Sequence, residues 1–318
     1  MTKRNVIVVG TSAGGVDVLC ELNKHLPRDL DASIFVVLHV GTVSLLPEIL
    51  SRCGNLPATV AENGKRYQRG RIYCAPANYH LSIKDHMTVL THGPRENGHR
   101  PAIDVLFRSA ARAHRSRVIG IVLSGGRDDG SAGLYAIKAR NGVAIVQDPN
   151  EAPAPNMPRN ALNMVDVDFC LPVRQIARVL VRLVNGDATN VTESPERGMP
   201  DHETNNDPKG EPPGNQIPVA CPECNGPIYE LKNGEFAQFQ CFVGHRFSPE
   251  SLSEQHTEAL ERALWTAIRK LKERTVLHER LAHRDRNKGE DELLIRLQDS
   301  VITAERDLKL LHEIMERI

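Results

Sequence analysis

The sequence has no excess of charge of either sign: lysine plus arginine and aspartate plus glutamate stand at 40 each in 318 residues. Nothing in the bulk charge therefore argues for nucleic acid as a partner. No apolar stretch approaches the ~18 residues of a membrane span, which argues against insertion of a helix into a bilayer. Met1 to Asn5 run straight into an apolar segment without the layout of a signal peptide, so a cytoplasmic protein is expected. Cysteine is sparse and odd in count, with seven in the chain. Four of them, Cys20, Cys53, Cys74 and Cys170, stand singly in apolar or strand-end settings and read as reduced core thiols.

The dinucleotide pattern G-x-G-x-x-G is missing, and so is the Lys-Ser/Thr pair of a P-loop. What the chain has instead is Ile7-Val8-Val9-Gly10-Thr11-Ser12-Ala13-Gly14-Gly15. Val6 to Val9 is β-branched and apolar on both faces, as suits a buried parallel strand. Val16, Leu19, Leu22 and Leu26 then fall on one stripe of a helix. Glycines two residues to either side of Ser12 let the backbone bend tightly and lift Oγ clear of the sheet edge. The first amides of the helix, that of Ala13 among them, point at the same spot and suit a developing oxyanion. The competing reading is a phosphate loop, since glycine-rich strand-to-helix turns also serve that purpose.

A chain of this length suggests about two domains. Strand and helix alternate through the first. Ser33 to Leu38 reads as a buried strand ending at His39, and Leu45 to Arg52 as a short helix. Arg71 to Cys74, His80 to Ile83 and Met87 to Leu90 are short strands, the last two a hairpin. Ala102 to His114 is helical, Val118 to Leu123 a buried strand, Ala132 to Arg140 a helix, Val143 to Val146 a strand and Pro172 to Val184 a closing helix. This is an α/β pattern, a doubly wound and mostly parallel sheet whose sites lie beyond the carboxyl ends of its strands.

Three such ends offer Ser12, His39 and Asp129 (or its neighbour Asp128) to one edge. Hydrolysis by a serine needs a base for the Oγ proton and an acid to orient that base. Each residue also has a plain structural reading: Ser12 as a helix cap, His39 as a satisfied strand-end histidine, the aspartates as caps of the next helix. Three residues at one sheet edge favour the joint reading.

Gly10-Thr11-Ser12-Ala13-Gly14-Gly15, His39, Tyr73-Cys74-Ala75-Pro76, the run from Asn97 to Phe107, and Leu123-Ser124-Gly125-Gly126-Arg127-Asp128-Asp129-Gly130 occur in that order. In this the chain resembles the catalytic domain of chemotaxis protein-glutamate methylesterases, the CheB family, from residue 4 to about 184. The resemblance implies Ser12 as nucleophile, His39 as base and Asp129 as the orienting acid, with no cofactor for catalysis. It implies hydrolysis of γ-glutamyl methyl esters, and deamidation of glutamines, on methylated chemoreceptors or related signalling proteins. The family's third motif usually reads Gly-Met-Gly-x-Asp-Gly; here the second oxyanion amide falls to Gly126, and Arg127 places a cation at the mouth. The family's receiver domain would precede residue 1, so control without a receiver in cis is expected. A catalytically weak adaptor, and a hydrolase or amidase of a non-receptor protein, remain the alternatives.

Residues 1–185 thus form the expected catalytic domain. The stretch 186–218 is rich in Asn, Asp, Glu, Pro and Gly and reads as a flexible linker. In 219–248, Cys221-Pro222-Glu223-Cys224 is followed after sixteen residues by Cys241-Phe242-Val243-Gly244-His245. Two ligand pairs at this separation resemble a zinc ribbon, with Cys221, Cys224, Cys241 and His245 closing a structural tetrahedral site. Reduced thiol turns and an iron–sulfur site are the competing readings. Its hairpin is expected to turn at Lys232-Asn233-Gly234. From 249 to 318 an α-helical hairpin is expected, turning between Arg284 and Glu290. Leu294, Leu297, Val301, Ala304, Leu308, Leu311 and Met315 form a coiled-coil seam, with Leu260, Leu264, Ala267, Leu271 and Leu281 a looser stripe upstream. Such helices pack on themselves or serve a homodimer or a docked partner.

Overall fold

The computed structural model describes residues 3–39, 45–186, 214–233, 236–285 and 291–317. The chain forms two compact units, Met1–Ser251 and Leu252–Ile318.

The first unit is built on strands β1 (Val6–Thr11), β2 (Ser33–Leu38), β3 (Ala58–Val60), β4 (Lys65–Arg66), β5 (Arg71–Cys74), β6 (His80–Lys84), β7 (Met87–Thr91), β8 (Val118–Val122), β9 (Val143–Gln147) and β10 (Phe169–Leu171). Seven of them make one sheet in the order β10-β9-β8-β1-β2-β5-β3, every pair parallel. The remaining three form a small antiparallel sheet. Helices α1 (Gly15–His25), α2 (Leu46–Cys53), α3 (Ile103–His114), α4 (Ser131–Lys138), α5 (Asn156–Met164) and α6 (Val173–Asn185) cover the two faces.

Because strand side chains alternate, β1 feeds two cores. Ile7 and Val9 join Ile34, Val36 and the inner stripes of α1 and α6, while Val8 joins Phe35, Val37 and Phe107 of α3. The strand order turns around at β1, which has β2 on one side and β8 on the other. A crevice at the carboxyl end of β1 follows from that reversal.

The elements expected from periodicity are present, with bounds differing by a residue or two. The short elements β3, β4, β10 and α5 were not legible, since strands of two or three residues carry too little pattern and Pro158 interrupts the pattern of α5. Three of the four single cysteines depart from expectation, and two of these, Cys20 and Cys53, are joined as a disulfide. The reason is buried Asn23, whose Nδ2 donates to the Leu50 and Leu56 carbonyls and whose Oδ1 accepts from the Leu56 amide. That clamp holds the end of α2 against α1, with the two cysteine Cα atoms 5.6 Å apart. Cys170 is exposed on a sheet edge rather than in the core; Cys74 is buried as expected.

The first unit also contains a second antiparallel sheet of β11 (Asn215–Ala220), β12 (Pro227–Asn233), β13 (Phe236–Cys241) and β14 (Arg246–Phe247). It begins at Asn215, inside the expected linker; residues 187–213 of that linker and Gly234 of the expected hairpin turn lie outside the described residues. Helices α7 (Pro249–Asp285) and α8 (Asp291–Met315) follow. Between them, 286–290 of the expected turn is outside the described residues. On α8, Ala304 is buried and Leu297, Val301, Leu308, Leu311 and Met315 are half-buried. On α7 the covered face runs through Leu264, Ile268 and Leu271, whereas Leu260 and Ala267 are exposed. No helix among the described residues is long and apolar enough to cross a membrane.

The cysteine pairing has a direct check. Alkylation of unfolded, unreduced protein followed by peptide mass spectrometry should leave Cys20 and Cys53 unlabelled while Cys74 and Cys170 react. Labelling of all four would restore the reduced-thiol expectation.

Candidate active site

Ser12 stands just past β1, on the turn into α1. The turn is held from below by buried Ser124: the Ser12 amide and the Thr11 hydroxyl donate to its carbonyl at 2.9 and 2.7 Å, and its own hydroxyl donates to the Ala13 carbonyl at 2.7 Å. Sequence reading did not single out Ser124. Gly14 has φ +72°, and a Cβ there would lie 2.7 Å from Pro153 Cβ. Gly10 is needed for another reason than bending. A Cβ on it would meet Ile103 Cγ2 at 2.2 Å, so it lets the start of α3 close on the end of β1. Gly125 likewise brings the loop after β8 up to Ser12, where an added Cβ would sit 3.0 Å from Ser12 Cβ. Ala13 is exposed, and Gly126 has open space on its Cβ side.

His39 extends β2 by one residue, its amide donating to the Thr11 carbonyl at 3.2 Å. Thr11 pairs with Leu38, so the next residues, Ser12 and His39, are neighbours at the sheet edge. The ring Nε2 lies 2.8 Å from Asp129 Oδ2. Among the described residues no hydrogen bond joins Ser12 Oγ to the ring, whose Nε2 is engaged by Asp129. His99 stacks on the His39 ring, centroids 3.7 Å apart and planes within 10°. Burial, then the neighbouring His39, pushes His99 down to about 4, so this second imidazole is neutral near pH 7.

Asp129 is fully buried and surrounded by donors. Oδ2 accepts from His39 and from the Ile103 amide at 2.7 Å; Oδ1 accepts from the Asp104 amide and from Asn97 Nδ2, both at 3.2 Å. Burial alone would raise its pKa, but the His39 hydrogen bond and charge outweigh it and hold Asp129 below the ordinary range. Asp104, also buried, goes the other way: desolvation and then the Asp129 charge push it well above the usual carboxylate value. The Gly130 and Gly133 amides donate to its Oδ1 at 3.0 and 2.6 Å, tying the start of α4 to α3. Asp128 faces away from His39 and is pushed up to about 6 by burial, against the hydrogen bonds of Ser248 and Ser251. Asn97 and Asp104 lay inside a motif read from the sequence, but neither was singled out.

A half-exposed serine turn, an imidazole and an ionised carboxylate at the carboxyl edge of a parallel sheet define the class as an α/β protein with hydrolase-type machinery. Residues 7–180 match the family model described as CheB methylesterase. A Leptospira interrogans protein called putative protein-glutamate methylesterase/protein-glutamine glutaminase is 38% identical over 180 residues, 56% of this chain and 93% of that one. A Syntrophus aciditrophicus protein called protein-glutamate methylesterase/protein-glutamine glutaminase 1 is 34% identical over 192 residues, and the chain spans about half its length, 55%. The crystal structure of the Thermotoga maritima CheB methylesterase catalytic domain superposes with a TM-score of 0.55 at 28% identity, covering 57% of this chain and all of that one. The chain belongs to the CheB methylesterase family.

A second cluster lies in the small sheet after β10. Cys221, Cys224, Cys241 and His245 bring their donor atoms within 4.8 Å of one another, with Cys221 and Cys241 buried. His245 Nδ1 is 3.4 Å from Cys241 Sγ and 3.8 Å from Cys221 Sγ, and the Cys224 and Cys241 sulfurs are 3.7 Å apart. A tetrahedron with Zn–S bonds of about 2.3 Å has edges of about 3.8 Å, so the donor set fits zinc. Two knuckles present the ligands: the Cys221 carbonyl accepts from the Asn225 amide, and the Cys241 carbonyl accepts from the Gly244 amide. Asn225 and Gly244 take positive φ, 59° and 104°, to make these turns.

The contact at Gly10 is testable on its own. Gly10→Ala should lower unfolding free energy by about 1–3 kcal/mol through overpacking against Ile103. The same change should weaken catalysis by displacing the Ile103 amide from Asp129. Denaturant unfolding and ester turnover measured side by side check both.

Proposed function

We propose that the chain hydrolyses γ-glutamyl methyl esters on a methylated signalling protein of the chemoreceptor type, with Ser12 as nucleophile, His39 as base and Asp129 as the orienting carboxylate. The observation that carries the reading is the 2.8 Å His39–Asp129 bond, formed one residue beyond the register that sets Ser12 beside His39. Membership of the family supports the ester specificity. Ser12 Oγ attacks the ester carbonyl while His39 takes its proton; the backbone amides of Ala13 and Gly126 receive the oxyanion. The carbon–oxygen bond then breaks, methanol leaves with the proton, and an acyl-serine remains. Water, deprotonated by His39, attacks the acyl group and releases glutamate and free Ser12. A glutamine side chain follows the same course with ammonia as leaving group, the second activity named for the relatives. No cofactor enters these steps. The cytoplasmic setting read from the sequence belongs to the same proposal.

The cysteine–histidine cluster is read as a closed, structural zinc site, because four protein ligands leave no position for substrate. The C-terminal helices are read as the arm that meets a second copy or a partner. Their support is exposed apolar surface: Trp265 is 49% exposed and Val276 48% on α7, Ile302 50% and Leu310 57% on α8.

Ser12→Ala should cut methanol release from methylated receptor by several orders of magnitude while leaving the unfolding transition in place. Turnover by that variant near the wild-type rate would remove Ser12 from the mechanism. Independently, protein purified without chelator should contain about one zinc per chain, lost on substitution of Cys221 or Cys241. Metal analysis finding none would return the cluster to free thiols.

A further inference from the structure

Where the second sheet ends, the chain runs along the active-site loops. The Asn97 amide donates to the Arg246 carbonyl at 2.8 Å, and the Arg246 amide donates to the Arg95 carbonyl at 3.2 Å. Glu96 and Arg246 pair in parallel; the Glu96 carboxylate is paired with Arg108, and the buried Arg246 guanidinium donates to Gln240 Oε1 at 2.9 Å. Two residues on, the Ser248 amide donates to Asn97 Oδ1 at 3.0 Å. The Ser251 hydroxyl donates to Asp128 Oδ1 at 3.1 Å, and the Ser248 side chain bonds Asp128 as well. Asn160 bridges the same loops, donating to the Arg127 carbonyl at 3.0 Å and to Glu250 Oε2 at 2.8 Å. The space left along this seam is about 10 Å³.

Asn97 is where these contacts meet the triad. Its two Nδ2 hydrogens go to Asp104 Oδ2 at 3.1 Å and Asp129 Oδ1 at 3.2 Å, and its Oδ1 takes the Ser248 amide. The two ends of a side-chain amide are alike in shape and opposite in hydrogen-bonding character. The Ser248 N–H, fixed by the backbone, donates only to an oxygen opposite it, which turns the NH2 group toward the carboxylates. Without that donor only the carboxylates hold the amide in this orientation, since an inverted amide would set its oxygen against the charge of Asp129.

We propose that the segment Arg246–Ser251, at the exit of the cysteine–histidine module, positions the triad, and that Asn97 is the positioning residue that passes its grip to Asp129. The proposal rests on the reading of Ser12, His39 and Asp129 as a hydrolytic triad. An Asp129 that loses its Asn97 donor directs more negative charge at His39. The imidazolium is then favoured, and His39 keeps its proton to higher pH. Among the described residues, the groups facing His39 are Asp129 from the loop after β8 and His99 from the loop before α3, with Asp104 behind Asp129 and Arg95 and Arg127 acting on His99.

The test uses the full chain with Ser248→Pro, which removes the one N–H that orients Asn97, and Ser251→Ala, which removes the hydroxyl on Asp128. Two readouts are taken: the NMR titration of the His39 ring, and kcat and KM on a small methyl ester. In Ser248→Pro the His39 midpoint should move to higher pH, and kcat should fall roughly tenfold or more with KM within about twofold. Ser251→Ala should lose several-fold in kcat, restored by Ser251→Thr, and this pair carries the kinetic test if Ser248→Pro does not fold. A folded Ser248→Pro with the wild-type His39 midpoint and kcat overturns the proposal, and so does wild-type kcat in Ser251→Ala. If the wild-type chain hydrolyses no ester, the functional reading fails, while the His39 titrations still decide whether the segment acts on the triad.

Discussion

A carboxylate with no exposure to water is the constraint on which the rest depends. Asp129 is 0% exposed and keeps its charge, which without compensation would cost several kcal/mol. Compensation comes from four donors on three segments: the His39 ring, the Ile103 and Asp104 amides at the start of α3, and the Asn97 side chain. Those donors converge only if α3 begins against the end of β1. The contact of Gly10 with Ile103 is the local condition for that approach. The catalytic-type edge is therefore a consequence of how a buried charge is satisfied, as much as of where strands end.

The same logic separates two acids of one kind. Asp104 and Asp129 are both buried and share Asn97 between them, yet burial raises one while His39 holds the other down. One anion beside another in a low-dielectric site disfavours ionisation of the second. Asp104 is left to tie α3 to α4 through the Gly130 and Gly133 amides. Asp128, next in sequence to Asp129, takes its partners from Ser248 and Ser251 instead. Adjacent aspartates thus belong to different neighbourhoods.

Much of the fold was legible because its signals are local. β1, β2, β8 and β9 are continuous apolar runs buried on both faces, a pattern specific to inner parallel strands. Ser12, His39 and the pair Asp128–Asp129 were legible as strand-end residues, and the four sulfur and nitrogen ligands by spacing. The misreading of Cys20 and Cys53 has a physical cause: 33 residues separate them, and their approach depends on Asn23 pinning α2. Ser124 escaped notice because a serine inside a glycine-rich motif carries no mark of the carbonyl and hydroxyl it lends to the turn at Ser12.

By itself the sequence determined where the strand-to-helix turn, the buried strands and the two knuckles lie, since each is written in neighbouring side chains. Spacing alone also singled out Cys221, Cys224, Cys241 and His245, whose donor atoms the fold brings within 4.8 Å of one another. Only the tertiary structure decided which carboxylate keeps its charge, and that Ser248 faces Asn97 across 151 positions of chain. Those outcomes depend on donors and charges brought together from distant segments, and burial strengthens such interactions only once the fold has closed around them.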